Sequence, residues 1–340
     1  MGMNMIVHNP GFLTTVQDLG RYGYQQYGMP VAGAMDGYAL QAANIIVGNN
    51  RNEAGLEITF GSFSVEFEGK GLVSLAGADL NALLNDKEVK PWQSFEVLSG
   101  DRLKVTGNKD GCRAYLAVQG GIEVPIVMGS KSTYLRGKLG GFKGRKLSER
   151  DIIKCGGNGS EGKMNCIRIP KEFVPDYKRR NIRIIMGPQD DCFSREEQEK
   201  FLSATYQITN QYDRMGYRLE GPIIKHQKGP DIISDGIASG AIQIPGNGQP
   251  IIMLADRQTT GGYTKIANVI SVDLPLLAQL KPGDMVTFKR ESLEEAQKLC
   301  YEQESKLTGL ADYIKKIDAG TQYLVRIKGR EYMVYCKEIR

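Results

Sequence analysis

Arginine, aspartate and amide side chains recur together in the last of three polar segments of this 340-residue sequence. The segment comprises residues 213–219, 234–236, 240–245 and 255–263, where these side chains fall at the edges of predicted strands. Guanidinium, carboxylate and amide groups in such positions suit the recognition of a small polar substrate. A buried structural network uses the same residue types, so the sequence leaves both interpretations open.

The first segment, residues 14–23, combines Gln17, Asp18 and Arg21 with two glycines in a stretch without a clear strand or helix pattern. Such a loop can present these three side chains to a ligand. Alternatively, Asp18 and Arg21 pair with each other in a turn whose glycines adopt positive φ. The sequence favours neither interpretation.

The second segment begins with Ser130, Lys131, Ser132 and Thr133 and continues through four glycines to Arg145. A flexible loop that carries hydroxyls and cations can close over a phosphate or a carboxylate. Glycine-rich polar sequence more often forms a solvated surface loop, which is the alternative interpretation.

A glycine-rich motif at residues 157–164 satisfies G-x-G-x-x-G and differs from a P-loop by one residue. In a P-loop, Ser or Thr follows the lysine to hold Mg²⁺, and the loop opens a helix. Here Met164 follows Lys163, and the next residues are typical of a short strand. We therefore interpret the motif as a polar hairpin loop, which leaves the chain without a nucleotide-binding motif of its own.

Histidine is scarce, because only His8 and His226 occur and each is isolated in the sequence. Histidine is the usual general base and the commonest metal ligand, so its scarcity argues against triad hydrolases, zinc enzymes and histidine-dependent dehydrogenases. The six cysteines include no Cys-x-x-Cys pair and are expected to be reduced thiols. We predict no protein-bound metal site.

The net charge of +5 comes from 44 basic and 39 acidic residues spread along the chain, which argues against a nucleic-acid partner. No apolar run approaches the roughly 20 residues that span a bilayer, and the first ten residues do not resemble a signal peptide. We therefore expect a cytoplasmic protein that binds neither nucleic acid nor a membrane.

The elements that must position the polar segments are mainly strands. Short runs of Val, Ile, Phe and Tyr, separated by Gly, Asn, Asp and Pro, are typical of a β-sandwich or barrel. One of these predicted strands covers residues 269–272. A predicted linker at residues 170–181, with two prolines and three consecutive basic residues, divides the chain near its middle.

Few helices are predicted, and each has a recognisable start. Asp36 can cap a helix that ends near Val47, and a capping box at residues 194–197 begins another. A short helix is predicted at Asp273. A capping box at residues 292–295 begins a long amphipathic helix, which a hairpin at residues 323–327 and 331–336 follows.

Several ordered motifs of the chain resemble one known family. They are Leu56-Glu57 and the residues 15–21 (TVQDLGR), 32–36 (AGAMD), 117–121 (AVQGG), 187–190 (GPQD), 213–219 (DRMGYRL), 234–236 (SDG) and 256–263 (DRQTTGGY). In their order along the chain they resemble the KipA or allophanate-hydrolase-subunit-2 family of carboxyltransferase-like proteins, which includes the C subunits of bacterial 5-oxoprolinases. The resemblance extends from about Gly11 to Phe288.

The resemblance implies a mainly β fold of two tandem cyclophilin-like β-barrel domains with few short helices. On this basis we expect one barrel at residues 1–175 and a second at residues 182–290. Residues 291–340 lie outside the resemblance, and we expect an accessory helix and β-hairpin there, which can support a homo-oligomer.

The resemblance also implies an amidohydrolase complex in which this chain has no turnover alone. Members of the family act with two partner proteins, one KipI-like and one LamB/YcsF-like, to open 5-oxo-L-proline to L-glutamate, with ATP and Mg²⁺ as cofactors. Alternatively, the chain is the carboxyltransferase component of a biotin-dependent urea or amide carboxylase, with the biotin carried by another chain. A third hypothesis is a regulator that binds a KipI-like protein without catalysis.

Within the first hypothesis, carboxylates are expected to bind Mg²⁺ or move a proton, and these candidates are Asp18, Asp213, Asp235 and Asp256. Guanidinium groups suit the carboxylate or phosphate groups, and amides suit the lactam. The candidates for substrate binding are Gln17, Arg21, Gln119, Arg145, Arg214, Arg218, Gln243, Gln258 and Thr259.

Overall fold

The structure is a computed structural model that describes residues 2–107, 109–156, 166–318, 321–327 and 330–336. The glycine-rich motif at residues 157–164 lies outside the described residues.

Eleven strands form the N-terminal half. They are β1 Asn4–Pro10, β2 Leu13–Gln17, β3 Gly55–Thr59, β4 Phe63–Glu68, β5 Gly71–Asp79, β6 Ala82–Leu84, β7 Lys87–Val89, β8 Gln93–Val97, β9 Arg102–Val105, β10 Asp110–Val118 and β11 Ile152–Lys154. Six of them form one sheet in the order β11-β1-β4-β9-β6-β7, and five form a second in the order β2-β3-β10-β5-β8. Strand β4 buries Phe63, Val65 and Phe67 at alternate positions, and they join one core with residues from both sheets.

The second sheet is covered on both faces, which explains why its strand β5 is buried along almost its whole length. Val73 and Leu75 face the core of the first half. The alternate residues Leu72 and Ala76 join a different core with the helix α1, Gly37–Ile46. Because successive side chains of a strand point to opposite faces, an apolar run on both faces places this sheet in the middle of the half.

Eight strands form the C-terminal half. They are β12 Asn181–Met186, β13 Thr205–Tyr212, β14 Gly216–Glu220, β15 Asp231–Gly236, β16 Ala241–Ile244, β17 Ile251–Met253, β18 Thr260–Val269 and β19 Met285–Arg290. Their order is β12-β19-β13-β14-β17-β16-β18-β15, and β12 also pairs with β18. This extra pairing closes seven strands into a ring around an apolar core, and β15 adds to the outside of β18.

The remaining helices are α2 Arg195–Ser203, α3 Leu274–Ala278 and α4 Leu293–Asp318. The predicted caps are confirmed: Asp36 accepts a hydrogen bond from the amide of Ala39 at 2.8 Å, and the hydroxyls of Ser194 and Ser292 accept bonds from the third residue after each. A hairpin of β20 Thr321–Ile327 and β21 Arg330–Cys336 follows α4, as predicted.

The strand predicted at residues 269–272 is wrong. Strand β18 ends at Val269, and Ser271–Asp273 forms a 3-10 turn that leads into α3. Asp273 is fully buried there, and it accepts bonds from the backbone amide and guanidinium of Arg183 and from the guanidinium of Arg179. These bonds stabilise the turn in place of a continued strand.

Two parts of the chain pack against α1 and its N-cap in the N-terminal half. The first is the predicted linker at residues 170–181, where the hydroxyl of Tyr177 donates to Asp36 at 2.6 Å. The second is the helix α4, which packs its apolar face against the core that contains α1; these residues are Leu307, Leu310, Ile314 and Ile317. The mainly β fold with few helices and a C-terminal helix is therefore confirmed, whereas the domain boundaries stay a prediction.

In the described part of the chain, no helix is both long enough and apolar enough to cross a membrane.

Candidate active site at the junction of the two halves

A buried ion network joins the two halves. Glu57 lies on β3 of the N-terminal half, and Arg214 lies in the turn between β13 and β14. One guanidinium nitrogen of Arg214 lies 2.5 Å from Glu57, and two others lie 3.1 and 3.0 Å from the two carboxylate oxygens of Asp256. All three side chains are almost fully buried. Arg214 therefore bridges one carboxylate from each half.

Glu57 is held as a carboxylate by its surroundings. It accepts hydrogen bonds from the Tyr115 hydroxyl at 2.7 Å and from the backbone amide of Met35 at 2.9 Å. Burial acts to raise the pKa of this carboxyl, but the guanidinium groups of Arg214 and Arg113 outweigh it, so the pKa of Glu57 lies below its ordinary value. The network needs this negative charge to balance two buried cations.

Arg113, on β10, is the second buried cation. Its Nη1 donates to the hydroxyls of Tyr212 and Tyr217, each at 2.9 Å, and to the carbonyl of Ala278 at 2.6 Å. The Nε of Arg113 lies 3.9 Å from Glu57. Because three of these contacts come from the C-terminal half, Arg113 ties the second sheet of the N-terminal half to the ring of strands.

Asp256 differs electrostatically from Glu57, although both bind Arg214. Burial raises the pKa of the Asp256 carboxyl above its ordinary value, and Arg214 only partly offsets this effect. The pKa of Arg214 itself is raised, since Asp256 and Glu57 outweigh its burial. A carboxyl with a raised pKa takes up a proton more readily than a solvated one, so Asp256 is the more easily protonated end of the network.

A first cavity of about 840 Å³ opens beside this network at the junction. Its walls combine aromatic and aliphatic side chains with arginine, lysine and aspartate; the polar and aromatic members include Phe12, Phe60, Arg113, Arg136, Lys146, Asn210, Tyr212, Asp213, Arg214 and Asp256. The rings of Phe12 and Phe60 meet edge to face at 5.8 Å. A concave site with mostly apolar walls and a few convergent polar groups is the usual form of a small-molecule site.

A second cavity of about 480 Å³ adjoins the first. It is lined mainly by amide and charged side chains, which include Asn210, Gln211, Asp213, Arg218, Gln243, Gln258 and Tyr263. Residues Asn210, Tyr212, Asp213 and Met215 line both cavities, so the turn between β13 and β14 is the wall that separates them.

Asp213 occupies the central position in this wall. Its Oδ1 accepts bonds from the amides of Met215 at 2.7 Å and Gly216 at 3.2 Å, which fix the orientation of the carboxylate. Its Oδ2 has no hydrogen-bond partner within the described residues, and the residue is exposed. Asp213 is therefore a positioned carboxylate with one oxygen free to act on a bound molecule.

Gln243, on β16, offers an unused donor to the second cavity. The side chain is only 2% exposed, yet its Nε2 has no hydrogen-bond partner within the described residues. A buried amide without a partner costs about 1–3 kcal/mol, so such a group in a cavity wall points to a ligand that satisfies it. Arg218 and Gln258 are exposed on the same cavity.

The remaining predicted residues lie elsewhere. Asp18 and Arg21 do not pair; Asp18 accepts bonds from the hydroxyls of Ser130 and Ser132 and borders a separate cavity of about 810 Å³. Arg21 is fully buried, donates to the carbonyl of Ser132 at 2.7 Å, and keeps its Nη1 without a partner in the described structure. Gln17 is buried beside it and donates to the carbonyl of Thr133 at 3.2 Å. The first two polar segments therefore bind each other.

Four further candidates are also outside the two junction cavities. Arg145 forms a bidentate pair with Asp151, with both distances at 2.7 Å. Asp235 pairs with Lys265 at 3.0 Å on β15 and β18, and this hydrogen bond lowers the pKa of Asp235. Gln119 follows β10, and Thr259 precedes β18. Their predicted roles in the site remain predictions.

The sequence interpretation missed Glu57, Arg113 and Tyr212 as site residues. A signal for the first two was present, because each is a charged residue flanked by apolar residues within its strand, GLEIT and DGCRAYLAV. Charged side chains are almost never fully buried unless they are paired. However, no local signal identifies the partner of such a residue. Arg214, for example, binds Glu57 although the two lie 157 residues apart in sequence.

No group of three or more metal-ligating side chains is present within the residues that the structure describes. The junction does fit a phosphate-bearing molecule at its rim. Arg136 and Lys146 are exposed there, and neither has a carboxylate partner in the described ranges.

Comparison with known proteins agrees with this architecture. The family described as "Carboxyltransferase domain, subdomain A and B" matches residues 27–290. The chain is 41% identical to the 5-oxoprolinase C subunit of Escherichia coli (strain K12), over 88% of this chain and 96% of that protein. It is 37% identical to the 5-oxoprolinase C subunit of Haemophilus influenzae, over 84% of this chain and 90% of that protein.

A solved structure shows the same fold. The crystal structure of the Kluyveromyces lactis urea carboxylase aligns with a TM-score of 0.84 and 31% identity, over 90% of this chain and 29% of that chain. The sequence resemblance is thereby confirmed. The chain belongs to the carboxyltransferase-domain family, subdomains A and B, together with these 5-oxoprolinase C subunits.

Proposed function

We propose that this chain is the C subunit of an ATP-dependent 5-oxoprolinase in the cytoplasm. It acts with two partner proteins, which are a KipI-like B subunit and a LamB/YcsF-like A subunit. It has no turnover alone. The complex converts 5-oxo-L-proline, ATP and water to L-glutamate, ADP and phosphate.

The observation that carries the proposal is the extent of the match to the 5-oxoprolinase C subunits. This chain covers 96% and 90% of the lengths of the two relatives, so almost all of each relative is represented here. By contrast, it covers 29% of the urea carboxylase chain. The match therefore favours the 5-oxoprolinase relatives over the larger urea enzyme.

The junction cavities suit the substrate that the proposal names. 5-Oxo-L-proline carries a carboxylate and a planar lactam with one N–H and one carbonyl. In the second cavity, the exposed guanidinium of Arg218 can bind the carboxylate, and the free Nε2 of Gln243 can donate to the lactam carbonyl. Gln258 offers an amide that can accept from the lactam N–H.

A lactam is a poor electrophile, and phosphorylation of its carbonyl oxygen by ATP supplies the missing activation. The rim cations Arg136 and Lys146 are the residues of this chain that would hold the phosphates. Asp213 lies between the two cavities, where its free oxygen can bind Mg²⁺ or accept a proton from water.

Arg214 and Asp256 have a positioning role in this proposal. The guanidinium of Arg214 uses four of its five N–H groups on Glu57, Asp256 and the carbonyl of Gly33, so its main contacts are within the protein. Its turn carries Asp213, and the backbone amide of Asp256 donates to the carbonyl of Arg214 at 2.9 Å. The buried network thus fixes the wall that presents Asp213.

A second candidate function is the carboxyltransferase step of a biotin-dependent urea or amide carboxylase. The structural match to the K. lactis urea carboxylase favours it. The biotin would arrive on another chain and occupy the same junction cavities.

The test is ATP hydrolysis that depends on 5-oxo-L-proline, measured with this chain and its KipI-like and LamB/YcsF-like partners and then with each one omitted. We expect turnover with all three chains and none without this one. Equal turnover in its absence would contradict the proposal. Turnover that requires urea, bicarbonate and biotin instead of oxoproline would establish the carboxyltransferase function.

A further inference from the structure

A third cavity lies away from the junction and is built partly by the helix that lies beyond the family match. Its volume is about 810 Å³, and none of its lining residues lines either junction cavity. One wall is the end of α1 and the loop after it, and a second is the loop that contains Lys131. The third wall is α4, through Ala311, Ile314 and Lys315.

The helix α4 is fixed in this position by polar as well as apolar contacts. Its apolar face is buried against α1, and its Glu304 forms a bidentate pair with Arg51 at 2.5 and 2.6 Å. Arg51 itself lines the cavity, and its Nε donates to Gln41 at 2.9 Å. The guanidinium of Arg51 therefore holds the wall with three of its five N–H groups, and Glu304 neutralises its charge.

The acidic groups of the cavity already accept hydrogen bonds from neighbouring residues. Asp18 accepts bonds from two serine hydroxyls and from the amides of Gly20 and Lys131. Glu53 accepts from the Lys131 ammonium at 2.5 Å and from the amide of Ala54 at 3.0 Å. Lys131 is therefore neutralised as well.

Two hydrogen-bond donors that line the cavity, on Lys315 and Asn52, have no acceptor among the described residues. Lys315 is exposed and has no ion-pair or hydrogen-bond partner in the described ranges. The amide oxygen of Asn52 accepts from the backbone of Leu19 at 2.9 Å, which leaves its amide nitrogen free to donate. These two donors suit a ligand that brings acceptor oxygens and a negative charge.

The rest of the wall is apolar. Ile45, Ile126, Ala311 and Ile314 contribute aliphatic surface. An inorganic anion gains nothing from such surface, whereas a short aliphatic chain gains roughly 0.8 kcal/mol for each CH₂ that it buries.

We propose that this cavity is a second binding site, which takes a small organic acid with its carboxylate on Lys315 and Asn52 and its aliphatic body on Ile45 and Ile314. The site is independent of the function proposed for the junction. It exists only because α4, outside the matched family region, closes one side of the cavity.

Amine modification of the full chain tests this site with valerate as the probe. Lys315 and Lys316 are adjacent exposed lysines on α4, but only Lys315 lines the cavity, so Lys316 is the internal control. At a valerate concentration of about four times its dissociation constant, occupancy should slow acetylation of Lys315 about five-fold and leave Lys316 unchanged. Peptide mass spectrometry measures both rates.

Three variants and one competing ion complete the test. The variant Lys315→Gln should lose saturable valerate binding in ligand-observed NMR, whereas Lys316→Gln should keep it. Ala311→Phe should fill the cavity and abolish the protection without removing any charge. The proposal fails if valerate protects both lysines equally or neither, if Ala311→Phe keeps the protection, or if inorganic phosphate protects as well as valerate does.

Discussion

Arg214 and Glu57 lie 157 residues apart in sequence, yet their side chains meet at 2.5 Å in a place where each is no more than 3% exposed. This bond joins a turn of the C-terminal half to a strand of the N-terminal half. Because both charged groups are buried, their stability depends on their hydrogen-bond and ion-pair partners. The loss of one member leaves the other charged and buried without its partner.

Replacement of Glu57 by Gln should therefore destabilise the protein strongly. The two guanidiniums of Arg113 and Arg214 would lose their shared counter-charge, and breaking a buried pair costs roughly 3–5 kcal/mol. Chemical denaturation followed by tryptophan fluorescence measures the change. The control is Glu66→Gln, which removes a partly exposed pair with Arg102 and should cost much less, because solvent screens that pair. Equal losses for the two variants would contradict the prediction.

Replacement of Asp213 by Asn should remove activity without loss of stability. The new amide oxygen can still accept from Met215 and Gly216, so the turn is kept while the negative charge is lost. In the reconstituted complex we expect kcat to fall by about 100-fold or more. The exposed carboxylate of Asp191 lines neither junction cavity, so Asp191→Asn is the control and should turn over normally. A fully active Asp213→Asn complex would exclude this carboxylate from catalysis.

Replacement of Gln243 by Leu should weaken substrate binding and leave the fold intact or slightly more stable. The wild-type amide nitrogen has no partner in the described structure, so its removal relieves a buried polar group. If the amide donates to substrate, KM for oxoproline should rise about ten-fold while the melting temperature holds. The control is Gln207→Leu, on the exposed side of β13, which should leave KM for oxoproline unchanged. An unchanged KM would show that Gln243 does not contact substrate.

The carboxyl of Asp36 should make the stability of the protein depend on pH. Burial raises the pKa of Asp36 from 3.8 to about 6, although Tyr177, Ala39 and Gln279 donate to it. The folded state therefore holds this proton more tightly than the unfolded chain does. The free energy of unfolding should fall as pH rises from about 4 to 6, by about 3 kcal/mol from this group alone, and should level off above that range.

Denaturation midpoints measured across this pH range test the assignment. Asp36→Asn should flatten the slope whatever its effect on absolute stability, because Asn does not titrate. The exposed Asp176 provides a control, since Asp176→Asn should keep the wild-type slope. If Asp36→Asn retains the full slope, another group is responsible for it.

Local features of the fold could be predicted from the sequence because they depend on residues a few positions apart. The caps at Asp36, Ser194 and Ser292 are of this kind, since each side chain bonds to an amide three residues later. Residues 269–272 show the limit of this reasoning. Their composition is typical of a strand, but the distant Arg179 and Arg183 bind Asp273 and favour a turn.

The site was predictable only in part for the same reason. The turn with Asp213 and Arg214 was found because a short segment concentrates charged side chains. However, the sequence does not show that Asp18 takes its donors from Ser130 and Ser132, more than 110 residues away. It therefore does not show that these two segments satisfy each other, while the junction cavities form around a different turn.

The position of α4 also has a consequence for biosynthesis. Leu307, Leu310 and Ile314 complete a core whose other members include Leu40 and Ile46 of α1. The ribosome synthesises α1 long before α4. The part of the α1 surface that α4 covers therefore stays exposed until α4 has been translated. Nascent chains that stall before residue 307 should therefore be the ones that chaperones retain.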